Sequence, residues 1–222
     1  MSNLTKSKQR VRDHGEVFTP REIVRDMLDL IPPELYEKPD ARFLEPACGD
    51  GNFLIEVLKR KLETVEKKYK RHQDEYERNV VTVVAGLYGV ELLDDNVLRA
   101  RERLFEIVEQ KYRALYKSKV KEDFLKSAQY VIERNIVQGD ARSLKDKHDK
   151  PIVFSEWSPV NTVKIKRQDF TFEEIIPDEL EKGSLFAYNQ TNDEGRHFFI
   201  PQPRAQYTPT FFLTLYKAYD RK

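Results

Sequence analysis

With 222 residues, 39 basic and 38 acidic, the chain can bury one sizeable core, and its net charge of +1 does not announce a nucleic-acid binder, although it leaves room for a local basic face. Its single cysteine excludes an internal disulfide and suits a reducing cytoplasm. No apolar run is long enough to span a membrane and the polar start does not read as a signal peptide, so the expectation is a soluble, cytoplasmic, one-domain protein.

Residues 1–14 are polar and charged and read as a flexible arm. Thr19-Pro20-Arg21-Glu22 reads as a helix start, with Thr19 as N-cap and Pro20 at the first helical position. Ile23, Met27, Leu28, Leu30 and Ile31 would form its apolar side, and Pro32-Pro33 ends it. A short strand at 42–46 leads into the segment Glu45-Pro46-Ala47-Cys48-Gly49-Asp50-Gly51-Asn52-Phe53. A long helix follows from Asn52 to the neighbourhood of His72, amphipathic in its first half and mostly charged in its second.

Residues 80–85 and 87–91 are rich in β-branched and aromatic side chains and read as strands, the second ending in Glu91. Residues 94–116 carry a helical stripe of Val97, Leu98, Leu104, Ile107 and Val108, and 121–134 read as a further helix. Residues 135–138 form a short strand before Gly139-Asp140, and 151–154 a fourth. Beyond residue 160 helical periodicity fades and aromatic and turn residues dominate, with 211–216 as a final strand. The alternation predicts an α/β, Rossmann-like fold, with a mostly parallel sheet covered by helices on both faces. Its core would span 15–160, and 161–222 would complete the sheet or form a small β-rich cap.

Residues 45–53 carry the most information. A strand running into an acid, a proline and a Gly-x-Gly turn, then a helix, builds a ligand site at the carboxyl end of a parallel strand. Only two of the three dinucleotide-type glycines are present, and Glu45 stands where a pyrophosphate would need neutral or positive surroundings. A carboxylate there repels phosphate and welcomes a cationic amino group. S-adenosylmethionine, a nucleoside carrying an amino acid, suits the site better than NAD or ATP. Glu91, 40 residues beyond Gly51, closes the second strand and can accept from ribose hydroxyls. Cys48 reads as a small residue packed in the loop, with no base beside it to make it a nucleophile.

This segment resembles the cofactor loop of adenine-N6 DNA methyltransferases, in particular the modification subunits of type I restriction systems and the related gamma-type enzymes. Gly15-Glu16-Val17-Phe18-Thr19-Pro20 resembles the Gly-x-x-x-Thr-Pro block that precedes that loop in the family. The resemblance implies a cofactor set of Phe18, Thr19, Pro20, Glu45, Pro46, Ala47, Gly49, Gly51, Asn52, Phe53, Glu91 and Asp140, the last accepting from the adenine amino group. Gly-Asp after a strand is also a common turn, so Asp140 has that second reading. DNA is the implied substrate, with a separate specificity subunit as a possible partner.

The family places Asn/Asp-Pro-Pro-Tyr/Phe after its fourth strand, where an amide or carboxylate holds the adenine amino group and the aromatic ring stacks on the flipped base. No such tetrapeptide occurs in the sequence given; the segment in its place holds Glu156, Trp157, Ser158, Pro159 and Asn161. Ser158, Pro159 and Trp157 are therefore the catalytic candidates, with core packing or an aromatic lid as the other reading of the tryptophan. Lys164-Ile165-Lys166-Arg167 is either a phosphate contact or a solvated edge strand. Three functions follow: a DNA adenine-N6 methyltransferase, a cofactor-binding accessory protein without turnover, or a methyltransferase with a non-DNA acceptor.

Overall fold

The computed structural model describes residues 7–14, 16–175, 190–191, 197–198 and 202–218. Its centre is a three-stranded parallel sheet in the order β1 (Phe43–Glu45), β2 (Leu87–Glu91), β3 (Ile136–Gln138). Helices connect the strands: α4 (Asn52–Tyr69) and α5 (Gln73–Ala85) between β1 and β2, then α6 (Asp94–Tyr116) and α7 (Glu122–Asn135) between β2 and β3. Three short helices precede the sheet: α1 (Lys8–His14), α2 (Arg21–Leu28) and α3 (Glu34–Glu37).

β2 is the middle strand, and Leu87, Tyr88, Gly89 and Val90 are all buried, as expected of a parallel strand covered on both faces. Its alternate residues enter different clusters. Leu87 joins the main core, which α4 to α7 supply through Leu58, Val83, Leu104 and Val131. Tyr88 and Val90 join a second cluster with Ile152, Phe154 and Phe172. That second cluster draws on the loop residue Ile152, on Phe154 of a β-hairpin and on Phe172 of a short helix, rather than on long helices like those of the main core.

The hairpin is β4 (Val153–Pro159) paired antiparallel with β5 (Lys164–Thr171). The predicted fourth strand therefore exists but belongs to a separate four-stranded sheet with β8 (Ala205–Gln206) and β9 (Thr210–Phe211). β6 (Gln190–Thr191) and β7 (His197–Phe198) pair with each other, and α8 (Phe172–Ile175) lies between β5 and β6. The predicted strand at 211–216 continues only to Phe211; residues 212–214 form a 3₁₀ turn and α9 spans Leu215–Ala218. Phe212 and Leu215 are buried on the main core, so the apolar run reads as core whichever backbone carries it. Of the aromatic residues that dominate the sequence beyond 160, Phe186, Tyr188 and Phe199 lie outside the described residues.

Three other expectations change. Residues 80–85 are helical, the end of α5, with Val80, Val81, Val83 and Val84 all fully enclosed. A helix buried nearly all round reads as an unbroken apolar run, and burial outweighs the β propensity of valine. Residues 8–14 of the expected flexible arm are helical. In α2 the inward residues are Val24 and Leu28, whereas Ile23 and Met27 are exposed, as is Leu30 beyond its end. Thr19 does not cap that helix: Pro20 occupies the cap position with extended backbone and no side-chain cap bond.

Candidate functional site

The carboxyl ends of β1, β2 and β3 open onto a cavity of about 330 Å³. Pro46, Ala47 and Gly49 line it from beyond β1, Glu91 to Leu93 from the end of β2, and Gly139 to Arg142 from beyond β3. Glu16, Val17 and Phe18 close a further side. Crevices of this size at the carboxyl ends of parallel strands are where open α/β sheets bind small molecules.

The loop after β1 owes its shape to Gly51, whose φ of +94° precedes the first turn of α4. Gly51 N–H donates to the Cys48 carbonyl (2.8 Å), and a Cβ at Gly51 would sit 3.2 Å from Ala100 Cβ on α6. Close approach and left-handed backbone therefore both require glycine there. The two sequence blocks meet: the Phe18 ring lies 3.4 Å from where a Gly49 Cβ would be, and the Asn52 side-chain amide donates to the Thr19 carbonyl (3.2 Å). Arg103 on α6 braces the loop, donating to the Asp50 carbonyl (2.7 Å) and Asn52 Oδ1 (3.0 Å) and pairing with the Asp50 carboxylate (2.6 Å).

Glu91 is held from three directions. Gly49 N–H donates to its Oε2 (3.0 Å), while Leu93 N–H (3.0 Å) and Asn96 Nδ2 (3.3 Å) donate to Oε1. An ionised carboxylate offers roughly four lone-pair positions, so about one, on Oε2, stays open for a hydroxyl donor. Glu45 lies outside the cavity lining, with its Oε1 accepting from Ala47 N–H (3.2 Å). Burial pushes the Glu45 carboxyl above its usual range, and the Ala47 N–H partly offsets that. The Cys48 thiol is pushed up by burial and by the nearby Glu91 and Glu45 charges, the reverse of an activated nucleophile.

Asp140 lines the cavity and also makes a turn, its Oδ1 accepting from Arg142 N–H (2.9 Å). Both sequence readings of this residue thus coexist. Of the sequence-derived cofactor set, Phe18, Pro46, Ala47, Gly49, Glu91 and Asp140 line the cavity. Thr19, Asn52 and Gly51 shape its frame, Pro20 starts α2, and Phe53 packs against the main core. Glu16, Asn96 and Arg103 are the participants that sequence reasoning missed. Asn96 and Arg103 sit on α6 at positions that a search for an apolar stripe passes over.

The catalytic candidates are elsewhere. Trp157 is buried among core residues, its ring edge-on to Tyr130 and its indole N–H 3.4 Å from Asn135 Oδ1. Ser158 and Pro159 follow it on β4, and none of the three lines the cavity. In the basic cluster on β5 only Lys164 is exposed, with Lys166 half-buried. Arg167 is buried in a paired, hydrogen-bonded contact with Asp169 (2.8 Å) and does not present itself to a phosphate.

A second cavity, of about 300 Å³, lies at the outer edge of β1 among Phe43, Leu44, Tyr88, Phe154 and Phe170. Its two charged residues, Arg42 and Glu156, pair with each other. It therefore lacks the convergent polar groups that orient a ligand. Among the described residues no cluster of metal-ligating side chains occurs, and no helix is long and apolar enough to cross a membrane.

Residues 35–152, just over half of the chain, match the MmeI DNA-methyltransferase domain. Over 46 residues, 21% of the chain and 10% of the relative, the sequence is 46% identical to the type II methyltransferase M.VspI of Vibrio sp.. Over 106 residues, 46% of the chain and 8% of the relative, it is 28% identical to a putative type II restriction enzyme and methyltransferase of Methanocaldococcus jannaschii. The matched segments thus span a tenth or less of these curated relatives, and no solved structure matches the chain. Both relatives carry type II names, and the resemblance drawn from the sequence motifs was to type I modification subunits and related gamma-type enzymes. On the extent of the family match, the chain belongs to the MmeI DNA-methyltransferase domain family.

Proposed function

We propose that this chain is the cofactor-binding part of a Rossmann-like, S-adenosylmethionine-dependent DNA methyltransferase acting on adenine N6. The observation that carries the reading is Glu91: an acid at the carboxyl end of the middle parallel strand, fixed by three donors and facing a cavity that the loop after β1 also lines. The residues fit such a cofactor. Glu91 keeps an open acceptor position for a ribose hydroxyl, and Asp140, in the same cavity lining, is an acceptor for an amino group on the adenine. Glu45, just beyond the lining, favours a cationic amino group nearby. When bound, the cofactor supplies an electrophilic methyl group on sulfur. The chain's own part is to hold it in orientation, through Phe18 over Gly49 and through Glu91.

The position of Trp157, Ser158 and Pro159 away from the cavity favours a second reading, in which this segment binds cofactor but does not by itself complete the acceptor site. Incubation with methyl-labelled S-adenosylmethionine and mixed-sequence DNA, with and without cell extract, separates the two. The first reading predicts label on adenine N6. Cofactor binding without label in either arm supports the second, with the adenine-holding groups supplied by a specificity subunit or by other chain. Label on RNA, protein or a small molecule, with none on DNA, would instead identify a different acceptor.

A further inference from the structure

The acid assigned to the ribose does not stand alone. Asn96, fully buried at the first turn of α6, donates through one amide nitrogen to Glu16 Oε1 (2.7 Å) and to Glu91 Oε1 (3.3 Å). Two carboxylates from distant parts of the chain thus converge on a single neutral donor. Glu16, whose side chain is 6% exposed, is in turn gripped by Arg10 of α1, Nε to Oε2 at 2.5 Å and Nη2 to Oε1 at 2.8 Å. The same guanidinium reaches Asp95, next to Asn96, with two bonds of 3.0 Å. A continuous path runs from α1 through Arg10, Glu16 and Asn96 to the Glu91 carboxylate.

This arrangement has an electrostatic logic. Two carboxylates sharing a buried donor repel each other, and the repulsion is tolerable only while one is neutralised. Arg10, whose charge Glu16 shares with Asp95, offsets that repulsion, and its planar fork fixes the direction of Glu16. Asn96 has two amide hydrogens, one for each acid, so the pose of Glu16 sets the pose of Asn96 and hence of Glu91 Oε1. The remaining acceptor direction on Oε2 follows.

We propose that Asn96 is a positioning residue that aims Glu91 at the cofactor's ribose, and that docking of α1 through Arg10 holds it there. The inference rests on the cofactor reading above. It adds ribose selectivity set by a residue outside both motifs, and a dependence of the site on the N-terminal helix.

Calorimetry with S-adenosylhomocysteine and its 2′-deoxy and 3′-deoxy forms tests this. A hydrogen bond to a charged acceptor makes wild type prefer the full ribose over at least one deoxy form by about 10-fold or more. In Asn96→Leu, close in size but lacking any donor, that preference should shrink to within about 3-fold. Asn96 is buried and its variants are open to folding defects, so Arg10→Ala, altered near the surface, is the second variant. It should lose about 5-fold in affinity and part of the ribose preference, with thermal unfolding showing both variants folded. A merely structural role for Asn96 would weaken all three ligands equally and leave the ratios at wild-type values, which overturns the proposal. Unchanged ratios in Arg10→Ala with altered ones in Asn96→Leu would remove α1 from it. Wild type that binds the cofactor product without preferring ribose sinks this inference together with the ribose role of Glu91 and leaves cofactor binding standing, whereas wild type that binds none of the ligands sinks the cofactor reading as well.

Discussion

Gly51 and Lys61 show how single residues carry the fold around the site. A side chain at Gly51 meets both a left-handed backbone and Ala100, so Gly51→Ala should destabilise the protein by about 1–3 kcal/mol and weaken cofactor binding more than its stability loss explains. Urea titration beside calorimetry checks both parts. Lys61, fully buried, donates to the Ala41 carbonyl (2.5 Å) just before β1. Burial lowers its pKa from 10.5 to about 8, with the Asp40 charge opposing the shift. Between those values the unfolded chain binds the proton and the folded one does not. Stability should therefore rise as pH increases through that window, by on the order of 2–3 kcal/mol. The rise should vanish in Lys61→Met, measured by urea unfolding at pH 7.5 and pH 10; a wild-type curve matching the variant's would refute it. The motif residues around Gly51 were legible from sequence because glycine, proline and an acid in that order have few other uses. Lys61, Asn96 and Glu16 were not, since their roles arise only when α4, α6 and the N-terminal segment meet.

Among elements, the long helices α4, α6 and α7 and the strands β1 to β3 follow the hydrophobic pattern that marks them in sequence. α6 begins and ends where the periodicity places it, at Asp94 and Tyr116. α5 did not, because periodicity vanishes when a helix is covered on nearly every side. β4 was found as a strand, but its partner could not be. Pairing with β5 rather than with β1 depends on contacts such as the buried Arg167–Asp169 pair, which also binds Ser155 Oγ (2.8 Å) and the Tyr207 hydroxyl (2.9 Å). Arg167 further donates to Tyr130 OH (2.9 Å) on α7, tying the hairpin sheet to the helical core. Arg167→Met should leave Asp169 buried without its cation and cost about 3–5 kcal/mol, read as a lowered urea midpoint. A loss below about 1 kcal/mol would show that the pair does not clasp the two layers.

At the scale of the molecule, a three-stranded parallel sheet, helices packed in one core and a separate hairpin sheet combine to leave the strand ends open on one side. Three loops from the sheet and the segment 16–18 converge there, bringing Glu16, Glu91, Asn96, Asp140 and Arg142 to one cavity. The acceptor side of the reaction was less legible, because the tryptophan and serine that stand in for the family's tetrapeptide belong to the hairpin and the core. The central claim is therefore about cofactor, and calorimetric titration of S-adenosylmethionine into wild type and Glu91→Ala tests it most directly. The account predicts one site per chain in wild type and at least a 10-fold weaker one in Glu91→Ala, as expected for losing a charge-assisted hydrogen bond. Equal affinity in the two proteins, or no binding to wild type, would contradict it.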